Sequence, residues 1–344
     1  MATLDFVTVV PHLPVSDEVF EVRSLSMHGG GPAATAAVAC ARLGGRASFA
    51  GALGQDSVAE TVAAELVREG VDTRLLGRAR NAATPSAVIL VEEGLGHRAI
   101  LYSKGTAPEP EWTAELEASV RGAAMLHIDG FHPLTAIRAA RAARAAGVSV
   151  SFDGGAGIRW PHLDELLPLV DLLVVARSFA EREAGEGDPA AAARALARAY
   201  GAREVVVTDG ARGAWYFVAG EGVRGGGAAS GGAASGGAAS DGAAGAGAVG
   251  AGGAGRGAGG EPGEGHVPAY AVDVVDTTGA GDVFHGAYAL ARSEGAGVPD
   301  AVRFASAAAA LKCRAPGGRA GIPGRAEVEA LIAGRAPGEG NGRT

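Results

Sequence analysis

The stretch Val272-Asp273-Val274-Val275-Asp276-Thr277-Thr278-Gly279-Ala280-Gly281-Asp282-Val283-Phe284-His285-Gly286 decides the fold of this chain. Its apolar start predicts a strand that ends near Asp276, and a turn of small residues then leads into a helix from about Gly281. Glycines in the turn let backbone N–H groups approach a ligand, and a helix N-terminus directs its unpaired N–H groups and positive dipole end to the same place. The segment therefore predicts an anion site, with phosphate as the natural candidate.

An acidic residue inside an anion site needs a reason, because its carboxylate repels bound phosphate. Asp282 stands at that place. A carboxylate there would be useful as the acceptor of a proton from a hydroxyl group that attacks a phosphoryl group. The alternative is that Asp282 merely caps the helix. The pattern alone leaves both interpretations open, and the motifs elsewhere in the chain favour the catalytic one.

Composition and charge exclude several classes of protein. The 344 residues are 47% apolar and carry a net charge of -8, which disfavours a partner that presents a phosphate backbone, such as nucleic acid. Cys40 and Cys313 lie far apart without metal-ligand spacing, so both are expected to be reduced thiols. No apolar stretch reaches the ~20 residues of a membrane span, and the N-terminus lacks signal-peptide features. The sequence therefore predicts a cytoplasmic protein without a membrane partner.

Short β-rich runs alternate with Ala-rich helical runs, and this alternation predicts an α/β fold. Between residues 120 and 220 the strands are continuous in Val, Leu and Ile, which is typical of a parallel sheet buried on both faces. The predicted strands are Phe6–Val10, Ala87–Glu92, Ala99–Ser103, Met125–Ile128, Ser149–Phe152, Leu172–Val175 and Val205–Thr208. The predicted helices are Ala33–Leu43, Val58–Glu69, Pro133–Ala146, Pro189–Tyr200, Asp282–Arg292 and Asp300–Cys313.

Two regions depart from this alternation. Residues 5–28 and 85–104 contain strands without long helices, which predicts a small antiparallel sheet beside the main layer, with a hairpin turn at 93–96. Residues 220–265 are low in complexity and repeat Gly-Gly-Ala-Ala-Ser, so they have little to bury and predict a disordered insertion. The Gly-x-Gly-x-x-Gly at 245–250 lacks the strand and helix of a dinucleotide site.

Two motifs together identify a family. The stretch from Asp276 to Gly286 resembles the C-terminal signature of ribokinase-like (PfkB) carbohydrate kinases, and 28–37 resembles their upstream signature. Gly54-Gln55-Asp56 and 205–214 are similar to the family's turn and nucleotide-binding strand and loop. This resemblance covers nearly all of the chain and implies an ATP-dependent phosphotransferase that acts on a sugar hydroxyl.

The resemblance also implies the domain organisation. We expect one kinase domain over 1–335, with three α/β/α layers, a mostly parallel central sheet and a small β-sheet lid. The insertion at 220–265 and the tail at 336–344 are expected to be disordered.

The resemblance further implies roles for individual residues. Asp282 is expected to be the general base, beside an anion hole for the transferring phosphoryl group formed by Gly279, Ala280 and Gly281. The residues expected to bind the sugar are Asp5, Gly29, Gly30 and Asp129, although Asp129 is equally placed to be a strand-end turn residue. Those expected along ATP are Thr208, Gly210, Gly213 and Ser306. For the metal ions, we expect Mg²⁺ near Glu181 and a monovalent cation, K⁺, ringed by Asp276, the Thr278 carbonyl and the loop 317–321.

Some positions restrict the sugar. Within the family the motifs are most similar to those of sulfofructose kinases and, through 127–130, more weakly to those of ketohexokinases. The positions that would bind a sulfonate hold residues that cannot attract an anion by charge, namely Val19, Gly130 and Leu101. The positions with which ribokinases contact ribose hold Gly31 and Ala34. The resemblance therefore implies a neutral ketose rather than ribose or a sulfosugar.

Two departures from the family pattern leave an alternative open. Met1 stands only four residues before Asp5, so either the true start lies upstream or the central sheet lacks its first interior strand. Arg177 replaces the Asn of the family's Asn-x-x-Glu element, and Glu181 comes one place late. A catalytically impaired sugar- or nucleotide-sensing relative is therefore the alternative to an active kinase. The strand edges of the lid also allow a homodimer through the lid.

Overall fold

The computed structural model describes residues 1–19, 21–22, 24–93, 98–155, 159–220, 246–250 and 262–334, with the backbone alone at 98 and 246–250. The strands are β1 (Thr3–Val10), β2 (Leu25–Gly30), β3 (Arg46–Gly54), β4 (Leu76–Ala79), β5 (Ser86–Glu92), β6 (Arg98–Ser103), β7 (Met125–Ile128), β8 (Ser149–Asp153), β9 (Leu172–Ala176), β10 (Glu204–Thr208), β11 (Ala214–Val218), β12 (Ala246–Gly250) and β13 (Gly263–Val267). The helices are α1 (Pro32–Arg42), α2 (Ser57–Arg68), α3 (Ala114–Gly122), α4 (Pro133–Ala145), α5 (Leu163–Leu166), α6 (Arg177–Ala184), α7 (Pro189–Tyr200), α8 (Ala280–Ser293), α9 (Val298–Lys312) and α10 (Arg325–Ile332).

The central sheet has the strand order β13-β11-β10-β9-β8-β7-β12-β3-β4, and its middle strands β7 to β10 are parallel. Successive residues of β10 enter different cores: Val206 packs on one face, and Val205 and Val207 pack on the other. Because both faces are covered, these strands are mostly continuous in apolar residues instead of alternating between apolar and polar ones. Helices α1, α8 and α9 cover one face and α3, α4 and α7 the other, which confirms the predicted three layers.

Local sequence determines where several helices begin. The Asp56 carboxylate accepts the Ala59 N–H at 2.8 Å before α2, and the Asp188 carboxylate accepts the Ala191 N–H at 2.8 Å before α7. These contacts satisfy N–H groups that a helix start leaves unpaired. Helix α7 also starts with Pro189, whose fixed φ suits a first turn. None of the described helices combines the length and apolar character needed to cross a bilayer.

The segment 246–250 corrects two predictions. The sequence predicts disorder throughout 220–265 and allows a central sheet short of one interior strand, yet β12 lies between β3 and β7 and pairs antiparallel with both. Pairing there satisfies backbone groups of β3 and β7 that would otherwise stay unpaired. Strand β13 also falls inside the predicted insertion. The rest of it, 221–245 and 251–261, lies outside the described residues, as does the predicted tail.

The second sheet is the predicted lid, with the strand order β2-β1-β5-β6. It is mixed rather than antiparallel, because β1 pairs parallel with β5. The reason is the chain path: α1, β3, α2 and β4 intervene between the two halves of the lid, so β5 returns in the direction of β1. The predicted hairpin turn at 93–96 falls mostly outside the described residues.

The strand predicted to end at Asp276 is not formed. Strand β13 ends at Val267, and no strand follows it before α8. The N–H groups of Val275 and Asp276 both donate to the Cys313 carbonyl, at 2.8 and 3.1 Å. The apolar pattern was misleading here, because the end of α9 accepts the hydrogen bonds that a neighbouring strand would have accepted. The segment leads into α8 as extended, irregular chain.

A buried ion pair joins the central sheet to α8 at the end opposite the predicted site. The Glu204 carboxylate accepts two hydrogen bonds from the Arg292 guanidinium, at 2.6 and 2.9 Å, and one from the Tyr288 hydroxyl at 2.9 Å. The side chains of Glu204 and Arg292 are only 1 and 4% exposed. A buried pair depends on both partners, because removal of either leaves an uncompensated charge.

Replacing Glu204 with Gln should therefore lower the free energy of unfolding by about 3–5 kcal/mol, measured by urea denaturation. The matched control is Glu165→Gln, which breaks the exposed Arg141–Glu165 pair of 2.6 Å. It should cost less than about 1 kcal/mol. Equal effects of the two substitutions would contradict the stabilising role of the buried pair.

Candidate active site

The predicted anion hole lies at the N-terminus of α8. Gly279 occupies the N-cap position with φ 74°, and no side chain caps the helix. The Ala280 N–H donates to the Thr277 carbonyl at 3.2 Å, so an anion would bind the other N–H groups of the first turn. Glycine is required there, since a Cβ on Gly279 would lie 2.6 Å from the Gly318 carbonyl oxygen. A Cβ on Gly281 would meet nothing within 4 Å, so this residue faces open space. The structure thus brings Gly279, Ala280 and Gly281 together as a bare helix start.

A cleft of about 510 Å³ opens beside this helix start. Its walls include all four predicted nucleotide residues, Thr208, Gly210, Gly213 and Ser306, together with Ala280 and Gly281 of the anion hole. Apolar side chains line the remainder: Tyr270, Val272, Val274, Phe284, Ala309 and Ala310. A cleft with an apolar end and an anion-binding end is suited to a flat base joined to phosphate groups.

Asp282 lies in the first turn of α8, one residue beyond the cleft wall. Burial raises the pKa of its carboxyl to about 7, and the negative charges of Asp153, Asp5 and Asp129 add to this effect, while His285 opposes it. A base is most effective when its pKa lies near the working pH. The environment of Asp282 therefore suits a group that takes up a proton during a reaction.

A buried cluster under Asp282 was not predicted from the sequence. His285, one helical turn after Asp282, places its Nε2 3.2 Å from Asp153 Oδ1, and this contact holds the pKa of Asp153 down at about 2 despite its burial. The His127 ring lies beside that of His285, with the ring centroids 5.4 Å apart and the ring planes tilted by 39°. The sequence pattern assigns no role to His285. The available signals were its spacing from Asp282 and an acid at the carboxyl end of a parallel strand.

The predicted sugar residues Asp5, Gly29 and Gly30 lie where the lid meets the central layer. Asp5 on β1 pairs with His28 on β2, and its carboxylate accepts the Thr3 hydroxyl at 2.7 Å. A Cβ on Gly30 would lie 2.0 Å from Asp5 Oδ2, so glycine is what admits the carboxylate. Burial raises the pKa of Asp5, although Thr3 and Arg319 oppose this effect.

Arg319 organises the same region and was not singled out in the sequence. Its buried guanidinium donates to the Gly30 carbonyl at 2.6 Å, to the Thr35 hydroxyl at 3.2 Å and to Glu65 at 3.3 Å. These contacts join the C-terminal loop to the lid strand, α1 and α2. A Cβ on Gly29 would clash with this guanidinium, which explains why position 29 as well as position 30 holds glycine.

Asp129 follows β7 and is 1% exposed. Its carboxylate accepts the N–H groups of Ala33 at 3.2 Å and Phe131 at 3.1 Å, and it also contacts the Met1 ammonium group. The contact with Phe131 agrees with the interpretation of Asp129 as a strand-end turn residue, while its contact with a sugar stays a prediction. It fixes a turn at a strand end, and it lies close enough to Asp282 to influence its pKa.

Arg177, which replaces the Asn of the family's Asn-x-x-Glu element, forms ion pairs with two nearby carboxylates. The Arg177 guanidinium contacts Glu181 at 2.5 Å and Asp209 at 3.2 Å, and Asp209 immediately precedes the nucleotide residue Gly210. Arg212 also binds Asp209, at 2.6 and 2.8 Å. Glu181, the predicted metal residue, is therefore already paired. Among the described residues no group of three or more His, Cys, Asp or Glu side chains is arranged to hold a metal ion.

Asp276, the predicted cation ligand, accepts hydrogen bonds from other parts of the chain. Its carboxylate accepts the Thr278 N–H at 2.8 Å and the Gly317 N–H at 2.7 Å, and these hydrogen bonds outweigh burial and lower its pKa. The Lys312 ammonium group donates to its backbone carbonyl at 2.9 Å. Asp276 thus joins the anion-hole turn to the C-terminal loop through hydrogen bonds of its own.

A nucleotide-shaped cleft that ends at a bare helix start and a buried carboxylate defines a phosphotransferase with a hydroxyl acceptor. The profile of the pfkB family of carbohydrate kinases matches residues 2–229 and 239–325. The chain belongs to this family. It is 26% identical to ribokinase from Haemophilus influenzae over 330 residues, which cover 94% of each chain. It is also 33% identical to the ATP-dependent ribose-1-phosphate kinase of Halopiger xanaduensis over 166 residues, 48% of this chain and 55% of the relative.

Solved structures confirm the ribokinase-like fold. Arabidopsis thaliana ribokinase, solved with ribose and ATP, superposes with a TM-score of 0.75 over 96% of each chain at 24% identity. Ribokinase from Giardia lamblia gives the same TM-score over 97% of this chain and 96% of its own, at 20% identity. At this low sequence identity, the similarity shows a shared fold and not shared roles of individual side chains.

Proposed function

We propose that this protein transfers the γ-phosphoryl group of ATP to a hydroxyl of a small neutral carbohydrate, with Asp282 as the general base. The observation that carries the proposal is the position of Asp282. It lies at the bare start of α8, beside the proposed nucleotide cleft. The carboxylates of Asp5, Asp129 and Asp153 are close enough to raise its pKa. Its raised pKa of about 7 gives it the basicity that the reaction needs.

The proposed mechanism follows from this placement. ATP lies in the cleft with its base near Ser306 and its phosphates toward Gly281. The sugar lies between the lid and the carboxyl ends of the central strands, near Asp5. Asp282 accepts the hydroxyl proton while the oxygen attacks the γ-phosphorus in line, and the N–H groups at 279–281 stabilise the charge on the transferring group. Closure of the lid excludes water, which would otherwise compete with the sugar.

Mg²⁺ fits this site as a companion of ATP. Such an ion keeps several waters and binds phosphate oxygens rather than an all-protein cage, which agrees with the lack of a three-ligand cluster among the described residues. Glu181 would contact it through water, from its position beside Arg177. When bound, the ion neutralises charge on the phosphates.

The described sugar side favours an uncharged polyol. Asp5, Asp129 and Asp153 surround Asp282, and carboxylates accept hydrogen bonds from sugar hydroxyls but repel anionic substituents. We therefore propose a neutral ketose as substrate, with Asp129 facing the sugar. Ribose is the competing candidate, because the matched relatives include ribokinases.

The second candidate function is a sensor that binds sugar or nucleotide without turnover. The contact that favours it is the Arg177–Glu181 pair, which engages the carboxylate that would otherwise approach the metal. The intact helix start and Asp282 favour the enzyme.

The substitution Asp282→Asn should reduce the turnover number by about 10²–10⁴-fold while leaving ATP affinity nearly unchanged. The measurement is a coupled ADP-release assay over a panel of ketoses and pentoses, with calorimetry for ATP binding. The melting temperature of the Asp282→Asn variant at pH 8 should equal or exceed that of the original protein, because the substitution removes a buried charge. Unchanged turnover would show that Asp282 is not the base.

The pH profile should report the same group. Because the carboxyl must be deprotonated to act and its pKa is raised to about 7, kcat/KM should rise with pH and level off above about pH 7. The coupling enzymes must be in excess at each pH. A limb at the ordinary carboxyl pKa near 4 would contradict the proposed environment of Asp282.

We also propose that the lid carries a homodimer interface. Met27, Phe6, Val88 and Leu101 form one row across all four lid strands. The exposed fractions of Met27, Val88 and Leu101 are 62, 41 and 60%, and Leu25 on the same face is 61% exposed. An apolar row bordered by two edge strands is suited to burial against a second copy.

Leu101→Asp should therefore shift the protein from dimer to monomer in sedimentation velocity, because it places a charge in the apolar row. The control Ile332→Asp, on the distant helix α10, should sediment like the original protein. A monomeric original protein at all concentrations would contradict the interface.

A further inference from the structure

A buried lysine lies under the anion-hole turn, where the family resemblance implies a monovalent cation. Lys312, the last residue of α9, has no exposed surface, and its Nζ donates to the backbone carbonyl of Asp276 at 2.9 Å. A buried ammonium group needs compensation, and the Asp276 carboxylate, whose charge interacts with it, is one source. The positive charge is therefore fixed at the base of the turn by the chain itself.

The surroundings of Asp276 do not fit an added cation. A cation site needs oxygen ligands whose negative charge is not already compensated. Here Lys312 donates to the Asp276 carbonyl, and the N–H groups of Thr278 and Gly317 donate to the two carboxylate oxygens. These donors compensate part of the charge that would attract a cation, and the fixed ammonium group of Lys312, which interacts with Asp276, repels a second one.

The loop 317–321 is closed tightly around this arrangement. A Cβ on Gly279 would lie 2.6 Å from the Gly318 carbonyl oxygen, and a Cβ on Gly321 would lie 2.4 Å from the Lys312 carbonyl oxygen. Arg319, from the same loop, binds the Gly30 carbonyl on the lid side. A shift of Lys312 or Asp276 would therefore move the anion-hole turn and the lid strand together.

We infer that the Lys312 ammonium group takes the place of the monovalent cation, so that this kinase works without K⁺. The inference rests on the proposed function, because it assigns the turn 279–281 to the transferring phosphoryl group. Lys312 is a positioning residue: it touches neither ATP nor sugar, and it acts by holding Asp276 and the turn against the C-terminal loop.

The first test needs no variant. Sugar-dependent ADP release and the melting temperature of the intact protein are measured in potassium chloride and in choline chloride at equal ionic strength. We expect kcat/KM to agree within about twofold and the melting temperature to be the same, since an ion that binds the folded state would raise it. Activation of tenfold or more by K⁺, or a melting temperature raised by K⁺, would overturn the inference.

Two substitutions of Lys312 test the site directly. In choline chloride both Lys312→Ala and Lys312→Met should lose roughly 10–100-fold in kcat/KM, the loss expected from a misplacement of about 1 Å. K⁺ should restore activity and raise the melting temperature of the Ala variant, which leaves room for an ion, but not of the Met variant, which fills the space. Loss without rescue in the Ala variant, or no loss in either, would contradict the role of Lys312.

The control Arg314→Met removes an exposed positive charge two residues further on and should behave like the original protein in both salts. If the intact protein phosphorylates no sugar in either salt, the proposed function fails. The effect of K⁺ on the melting temperatures of the intact protein and the Ala variant still decides the inference in that case.

Discussion

The structure depends on one packing contact, between the turn at the start of α8 and the C-terminal loop. Gly279 adopts a left-handed conformation against the Gly318 backbone, and Asp276 receives hydrogen bonds from both segments. No side chain caps α8, and this bare helix start is where we propose that phosphate binds. The same turn places Asp282, the proposed base, next to the cleft.

The layers of the fold bring the other groups to this border. Parallel strands end at one edge of the central sheet, so Asp153 after β8 and Asp129 after β7 come near Asp282 although they are far apart in sequence. The lid contributes Asp5 from the opposite side, admitted by the missing side chain of Gly30. Burial of Asp282, together with the charges of these neighbouring carboxylates, raises its pKa, while the His285 contact lowers the pKa of Asp153. The packing that brings these carboxylates together therefore also raises the pKa of Asp282.

Sequence reasoning recovered what depends on local patterns. The apolar strands β7 to β10 and their helices follow from periodicity. Thr208 and Ser306, for which the family resemblance implies contact with ATP, line one cleft. Sequence patterns did not predict the features that depend on a segment far away along the chain. The strand before Asp276 does not form, since α9 takes its hydrogen bonds, and β12 fills a gap between β3 and β7 that no local pattern reveals. The roles of Arg319 and Lys312 were hidden because each acts across the fold.

As the proposed base, Asp282 would assist the chemical step itself. A rapid-quench measurement of a single turnover, with enzyme in excess over labelled ATP and with saturating sugar, isolates that step from binding and product release. We expect rapid formation of labelled sugar phosphate by the original protein, and formation slowed by about 10²–10⁴-fold in Asp282→Asn with ATP fully bound. Equal single-turnover rates in the two proteins would contradict this expectation, because the carboxylate would then play no part in phosphoryl transfer.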